Sequence, residues 1–298
     1  MNDRAHHRAK IADRAATVTL YCVAGFFLLL LAAFTVYILV KGVIAYFPGV
    51  FSFRMTGIGA ELFNTVYLVL ISLIISVPIG VAAGIYLAEY ARAGRFTRFL
   101  RTSIETLSSL PSIVVGLFGY LVFIYWTGSK YNLISGALCV SILSLPLLTT
   151  VTEDAFKSIP EVYREGSYGI GATHWQTIVR VLLPTSFPRI ITGIILAAGR
   201  GFGEAAALLY TSGMSSVIRW GNWDPTSLQS PLNPFRPGDT LALHIWTLKM
   251  ESILPNAERI ADVSSAVLLL LVLAFSLGSR WLGNRLDRKM TGSKNGGK

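Results

Sequence analysis

The chain has 298 residues, 53% hydrophobic and only 14% charged, with 26 lysines and arginines against 16 acidic residues and a formal net charge of +10. So few charges exclude an ordinary soluble domain, and no stretch is left for the separate basic domain that nucleic-acid binding would need. Apolar runs long enough to cross about 30 Å of hydrocarbon recur instead.

Six such runs are predicted as membrane-spanning helices, near residues 17–40, 62–88, 103–126, 133–152, 189–213 and 260–282. A basic head, 1–16, with Arg4, Arg8, Lys10 and Arg14, precedes the first. That run is too long for the apolar region of a signal peptide and lacks a small-x-small cleavage site, so it reads as an uncleaved anchor. Cys22 within it and Cys139 in the fourth run read as small core hydrophobes. Pro78, Pro111 and Pro146 fall in runs two, three and four. Each removes a backbone hydrogen bond where only neighbouring helices, hydroxyls or water can replace it, so hinges are predicted there. Ser108, Ser109, Ser112, Ser141, Ser144, Thr149 and Thr152 either line a polar route or bond back to their own helices, the commoner fate.

Between the fourth and fifth runs lies a polar, glycine-punctuated stretch, Glu165-Gly-Ser-Tyr-Gly-Ile-Gly171-Ala172, followed by Thr173 to Pro184. Ser158-Ile-Pro160-Glu161 and Thr173-His-Trp-Gln176 both have capping-box spacing, which predicts two helix starts. Gly169 and Gly171 lie between them, where a helix can end in a left-handed residue. Trp175, Ile178, Val179, Leu182 and Leu183 form an apolar stripe at helical spacing, with Pro184 and Pro188 expected to stop that helix. The stretch is either an amphipathic helix lying on the bilayer or a lever gripped by a separate motor.

The fifth run carries Arg200 and Glu204, each costing about 2.5 to 3.5 kcal/mol at the centre of a span on insertion scales. Four residues apart, they share a helix face and can pair. They are read either as a buried ion pair that fixes helix register or as groups that lower the barrier for an anion in a watery passage. Gly199 and Gly203, with Gly193 and Ala207 near them, make a small-residue face for a close helix neighbour. The long loop from Met214 to Glu258 carries Pro225, Pro231, Pro234 and Pro237 with Trp220, Trp223 and Trp246, which suggest an interfacial belt. Within it Leu241, Ile245 and Leu248 predict a short amphipathic helix resting on the membrane edge.

Loop charges set the expected orientation, because short basic loops stay in the cytoplasm. One assignment collects eighteen lysines and arginines inside and seven outside, which puts both termini and the 165–184 stretch in the cytoplasm. Histidines offer no metal-ligand spacing, since His6 and His7 are adjacent on the head while His174 and His244 are solitary. No Gly-x4-Gly-Lys-Ser/Thr occurs, so any ATP must be hydrolysed by another subunit. Gly-x-Ser-x-Gly and His-Glu-x-x-His are absent too, which disfavours a membrane hydrolase.

Spacing adds a resemblance. Glu165, Gly171 six residues on, and Val181 ten beyond with Leu183-Pro184 closing the stretch resemble the EAA loop of ATP-binding-cassette importer permeases. In that family the loop is a coupling helix that docks in a groove of the ATPase, which assigns coupling to Glu165, Gly166, Gly169, Gly171, Ala172, Leu183 and Pro184. The usual two alanines after the glutamate are here Gly166 and Ser167, weakening the helix locally by about 1 kcal/mol at the glycine. Gly199-Arg200-Gly-Phe-Gly203-Glu204-Ala-Ala-Ala-Leu208-Leu-Tyr-Thr211 is similar to the fifth-span signature of phosphate permeases of the PstA type. Leu87-Ala-Glu89-Tyr and Leu110-Pro111-Ser-Ile-Val-Val-Gly116-Leu-Phe-Gly119 resemble the same family. Where relatives have Thr-Ala-Pro, this chain has Ala205-Ala206-Ala207, which is expected to remove a helix kink.

The resemblance implies an all-α, six-span type I importer permease with a MetI-like transmembrane fold and a cytoplasmic coupling helix. Its parts would be the head 1–16, an anchor at 17–40, a permease domain at 61–282 and a basic tail at 283–298. It further implies phosphate as substrate, no catalysis and no cofactor in this chain, and ATP with Mg used by two ATPase subunits on the cytoplasmic face. A second permease chain of the PstC type and an extracytoplasmic phosphate-binding protein complete the implied assembly, in the lipid of the plasma (inner) membrane. Other readings are a permease for molybdate or sulfate, a secondary transporter or channel with an inverted repeat, and a membrane enzyme.

Overall fold

A computed structural model describes residues 3–53, 57–216, 218–250 and 256–290, so the last eight residues of the basic tail lie outside the described part. The described residues form helices and connecting loops, with no strand among them. The chain is thus all-α, as its apolar periodicity and length predict.

Helix α1, Asp3–Ala45, is continuous because its run of Leu, Phe and Ala contains no proline, and the hydroxyls of Thr19 and Thr35 donate to carbonyls one turn back. It stands apart from the rest until its last turns, where Gly42 lies so close to Ala266 that a methyl group would collide. Cys22 is exposed on this helix, contrary to the expected core position, whereas Cys139 is fully buried. The difference follows from α1 having no neighbour along most of its length.

Helices α2, Gly59–Ile85, and α5, Leu133–Lys157, make the central pair. Gly80 and Gly84 sit against Leu148, Thr149 and Thr152 with no room for a Cβ, so small residues one turn apart bring the two backbones together. Both helices run on through Pro78 and Pro146, so neither proline ends its span. A π-helical turn, Tyr86–Tyr90, carries α2 on to its end. Ser141 and Ser144 donate to the carbonyls of Ala137 and Val140 in their own helix, so the local alternative holds for them.

Pro111 alone marks a sharp bend. The third predicted span divides into α3, Arg95–Ser109, and α4, Ser112–Gly119, continued to Tyr125, with 102° between the two arms. Leu110 and Pro111 are extended, as the restriction on the residue before proline favours. Helix α3 buries none of its residues and exposes Phe96 and Phe99 beside Arg95 and Arg98, so it is an amphipathic arm and the single straight span expected there is not found.

After α5 come α6, Val162–Gly169, and α7, His174–Thr177, then a π-helical turn, Ile178–Leu182, and α8, Leu183–Phe202. From His174 to Phe202 the chain is one continuous helix, so Pro184 and Pro188 do not stop it. Pro184 follows directly on the π-helical turn, where the regular hydrogen-bond ladder is already interrupted. Short α9, Ala206–Leu209, precedes the long loop; α10, Leu241–Met250, and α11, Ala257–Met290, follow. Helix α10 does not rest at an edge: Leu241 and Leu248 are buried with Val50, Ile58 and Ile260. Its apolar stripe therefore meets α11 and the start of α2 rather than lipid.

These contacts define two ends. At one, Asn132 and Leu133 at the start of α5 donate to the carbonyls of Thr211 and Arg236 in the long loop. The other end lies about 37 Å away at 1.5 Å per residue along the 25 residues of α5, and it holds α6 and α7. Helix α11 starts beside α10 at the first end and reaches Ile191, about midway along α8, with Gly283. Among the described residues, five helices are long and apolar enough to span a membrane, or six with the bent pair counted as one.

Candidate functional site

The elbow between α5 and α8 is built by local rules and then pinned from outside. Thr173 accepts from the Gln176 amide at 3.3 Å while Gln176 Oε1 accepts from the Thr173 amide at 2.9 Å, the reciprocal box its sequence predicts. The Ser158 box does not form. Ser158 ends α5 instead, its hydroxyl donating to the Ala155 carbonyl, and Glu161 makes no side-chain cap. Gly169 stays in α6, and Gly171 takes the left-handed conformation at φ +84° while its amide donates to the Tyr168 carbonyl. An L side chain there is disfavoured by its own backbone, because nothing else crowds the position.

Pinning falls to residues the motif does not include. Arg164 Nη2 donates to Glu89 Oε1 at 2.7 Å, and the guanidinium also reaches the Phe156 and Ile159 carbonyls. The Glu89 carboxylate raises the Arg164 pKa further above its ordinary value, so the cation is secured. His174 Nε2 stands 3.5 Å from the same carboxylate. Ser167 and Thr177 share a hydrogen bond of 2.8 Å across the elbow, joining α6 to α7. The one glutamate at the end of α2 thereby holds both arms, a role the sequence does not show although Leu87-Ala-Glu89-Tyr belongs to the family resemblance.

What the elbow does not bury is as informative. Ile170 is 88% exposed, Val162 71% and Trp175 63%, with Tyr163 and Tyr168 beside them. Ile178 and Leu182, from the predicted stripe, are buried against Phe156 and Ile190, while Trp175 and Val179 are not. Leu183 is half-buried; Ala172 is partly covered; Glu165, Gly166, Gly169, Gly171 and Pro184 are exposed. A Cβ added at Gly166 or Gly169 would meet nothing within 4 Å, so no packing within the chain requires a glycine at either place.

Arg200 and Glu204 do not pair. Helix α8 ends at Phe202, and Gly203 to Ala205 break the path before α9, so the common helix face assumed for residues four apart does not exist. Glu204 is buried and its Oε1 accepts the Ala207 amide at 3.0 Å, a cap on the short helix that follows. Arg200 is exposed, with Nη1 donating to the Leu143 carbonyl at 3.3 Å. The break is present even though Ala205-Ala206-Ala207 lacks a proline, so the expected loss of a kink is not found. The small-residue face is also displaced: Gly193, Ala197 and Gly201, spaced one turn apart, are buried, with Gly193 against Val151 and Gly201 against Val140 and Val69. Gly199 has no neighbour within 4 Å, and Gly203 meets only its own helix backbone. They and Arg200 thus share an open side of the chain.

Two further polar groupings lie at the bundle's ends. Glu153 on α5 holds both Arg101 of α3 and Lys157, fixing the amphipathic arm. At the far end the fully buried Arg236 donates from Nη2 to Asn64 Oδ1 at 2.6 Å. Burial pulls its pKa down to about 10, so it stays charged at neutral pH. Trp220 packs with Phe53, Phe63 and Trp223 in one aromatic cluster there.

Residues 80–292 match the family described as binding-protein-dependent transport system inner membrane component. The chain is 43% identical over 289 residues to the probable ABC transporter permease protein YqgI of Bacillus subtilis, covering 95% of this chain and 98% of that one. It is 32% identical over 226 residues to the phosphate transport system permease protein PstA of Xylella fastidiosa, covering 76% and 74%. Among solved structures, a chain of a bacterial alginate ABC transporter in complex with an alginate-bound periplasmic protein aligns with a TM-score of 0.65 at 15% identity, over 93% and 96% of the two chains. A chain of the MetNI methionine ABC transporter aligns with a TM-score of 0.52 at 16% identity, over 78% and 94%. At such identities these two alignments speak for the fold.

Proposed function

Because the chain belongs to the binding-protein-dependent transport system inner membrane components, and so is a permease subunit of an ABC importer, we propose that it carries inorganic phosphate and is driven through the 162–184 elbow. One observation carries this reading: an elbow rigidly pinned to α2 and α5 presents exposed Ile170, Val162 and Trp175 at one end of the bundle. Apolar side chains grouped on a braced polar segment suit a protein partner. Gly166 and Gly169, which nothing in this chain requires, let that partner's backbone come close.

The partner is an ATPase subunit in the cytoplasm, with a second bound to the matching elbow of a PstC-type permease chain. Loop charge supports the orientation, since the sequence assignment counts eighteen lysines and arginines with the elbow and seven against it. ATP draws the two ATPases together, and their different contact with the elbow in the two states biases the arrangement of the spans. No bond is made or broken in this subunit, and it needs no cofactor of its own.

Phosphate is supported by the likeness to the Xylella PstA protein and by Arg200 on the open side of α8. A second permease chain set against Gly199, Arg200 and Gly203 would leave the guanidinium in the seam between the two, held by one neutral carbonyl and free to meet an anion. Glu204, committed to the Ala207 amide, shapes the broken helix end beside it. A phosphate-binding protein would deliver its cargo at the opposite end, where the 210–240 loop and α10 lie.

Uptake of labelled phosphate by vesicles holding both permease chains, with and without ATPase subunits, tests the reading. ATP-dependent uptake that needs the binding protein is expected. Uptake without the ATPases would favour a secondary transporter, and uptake of sulfate or molybdate in preference would retain the engine and change the cargo.

A further inference from the structure

We propose that Glu61, Asp239 and His244 form a site for one divalent transition-metal ion of the zinc class, which clips α10 to the first turn of α2 at the end away from the elbow. Glu61 stands in the first turn of α2, Asp239 just before α10 and His244 in the first turn of α10. One ligand atom from each lies within 4.8 Å of the other two. Each residue also keeps a buried polar atom without a hydrogen-bond partner among the described residues: Glu61 Oε2, Asp239 Oδ1 and His244 Nε2. Asp239 is only 2% exposed, so its orphaned oxygen has no access to bulk water.

The polar neighbours do not satisfy these atoms, and Arg236 Nε and Thr240 Oγ1 are likewise without a partner among the described residues. Arg236, the nearest buried cation, donates to Asn64 and to the Pro231 and Pro237 carbonyls and to neither carboxylate. Asn64 Nδ2 donates to Ser216 Oγ and to the Asp239 carbonyl, leaving the carboxylate alone. His244 Nδ1 and Asp239 Oδ2 are 3.0 Å apart, close enough for one ion to be held between the imidazole nitrogen and the carboxylate oxygen. One imidazole with two carboxylates is a mixed nitrogen and oxygen set that suits borderline dications, whereas Mg and Ca call for six or more oxygens. Zinc holds such donors at about 2.0 to 2.2 Å, so the shell must close by on the order of 1 Å. Rotation of Glu61 and His244 can do this, because both residues are only partly buried.

Cobalt is the probe, as a coloured stand-in for zinc. The purified full chain, in a background with His6→Ala and His7→Ala so that the head cannot bind, is stripped with a chelator and titrated with Co2+. Ligand-field absorption saturating at one equivalent and displaced by Zn2+ but not by Mg2+ is expected, together with a higher thermal midpoint when Zn2+ is bound. Loss of a single outer partner of a metal ligand costs 10- to 100-fold in affinity, so His244→Ala or Glu61→Gln should weaken binding by about 100-fold or more. No saturable absorption by the unsubstituted site, which needs no variant to fold, overturns the proposal. An unchanged spectrum in both variants overturns it as well.

Discussion

Glu89 closes the elbow because it is 5% exposed, sits where α2 runs out and meets a guanidinium that is itself 12% exposed. Removing one partner of a pair so enclosed leaves the other charge stranded, so Glu89→Gln should lower stability by on the order of 3 kcal/mol. The loss should concentrate in the elbow, and amide exchange over 162–177 is the measurement that separates it from general loosening. Gly171→Ala should cost about 1 kcal/mol through its φ alone, read as a lower thermal midpoint. Gly169→Leu should leave that midpoint within about 0.5 kcal/mol, since the position is open, while abolishing ATPase-driven uptake. A Gly169→Leu chain that transports normally would remove the docking role from this glycine. The Thr173 box and the left-handed Gly171 were legible because each is a rule about residues within one turn. The Glu89 contact was not, since 75 residues separate it from Arg164.

Among the elements, small residues determine which helices can approach. Gly84 faces Thr149 and Thr152 so closely that Gly84→Val should force α2 from α5 and cost about 3 kcal/mol or more, measured as thermal unfolding in detergent. Gly199→Ala should be nearly neutral in the isolated chain by the same measurement, because nothing stands opposite it. The spacing of Gly199 and Gly203 was plain in the sequence, but which face they occupy depends on where α8 ends, and Gly203 begins that end. Prolines misled for a related reason. Pro184 and Pro188 obey their local chemistry, yet the helix absorbs the first just after its π-helical turn and the second without a break, because the buried Ile178, Leu182 and Ile190 hold the two arms together. Pro111 behaves as the sequence predicts, since no packing across the bend keeps α3 in line.

For the molecule as a whole, hydropathy found the apolar runs, because the solvent demanded by each run is a property of composition, but it missed the bend in the third and placed the fifth at 189–213 where the helix runs from His174 to Phe202. Loop charge predicts a side for the elbow. The far-end network of Glu61, Asn64, Arg236, Asp239 and His244 had no such signal: its members come from two regions of the chain with 175 residues between Asn64 and Asp239. The open side of α8 likewise became visible only once α5 and α2 were seen to cover the other. Arg200→Ala should therefore abolish phosphate uptake while the two permease chains still assemble with their ATPases, checked by co-purification. Failure to assemble would assign Arg200 to the contact between chains instead.

An ATPase gripping the elbow is the proposition on which the rest depends, and cross-linking reads it directly. In a chain with Cys22 and Cys139 replaced by serine, one cysteine is placed at Ile170 and, in a second preparation, at Trp223, exposed near the opposite end. A bifunctional reagent should join Ile170→Cys to an ATPase subunit in the assembled importer, with a yield that changes on adding ATP, and should leave Trp223→Cys unjoined. Attachment of the ATPase at Trp223→Cys with none at Ile170→Cys would contradict the account.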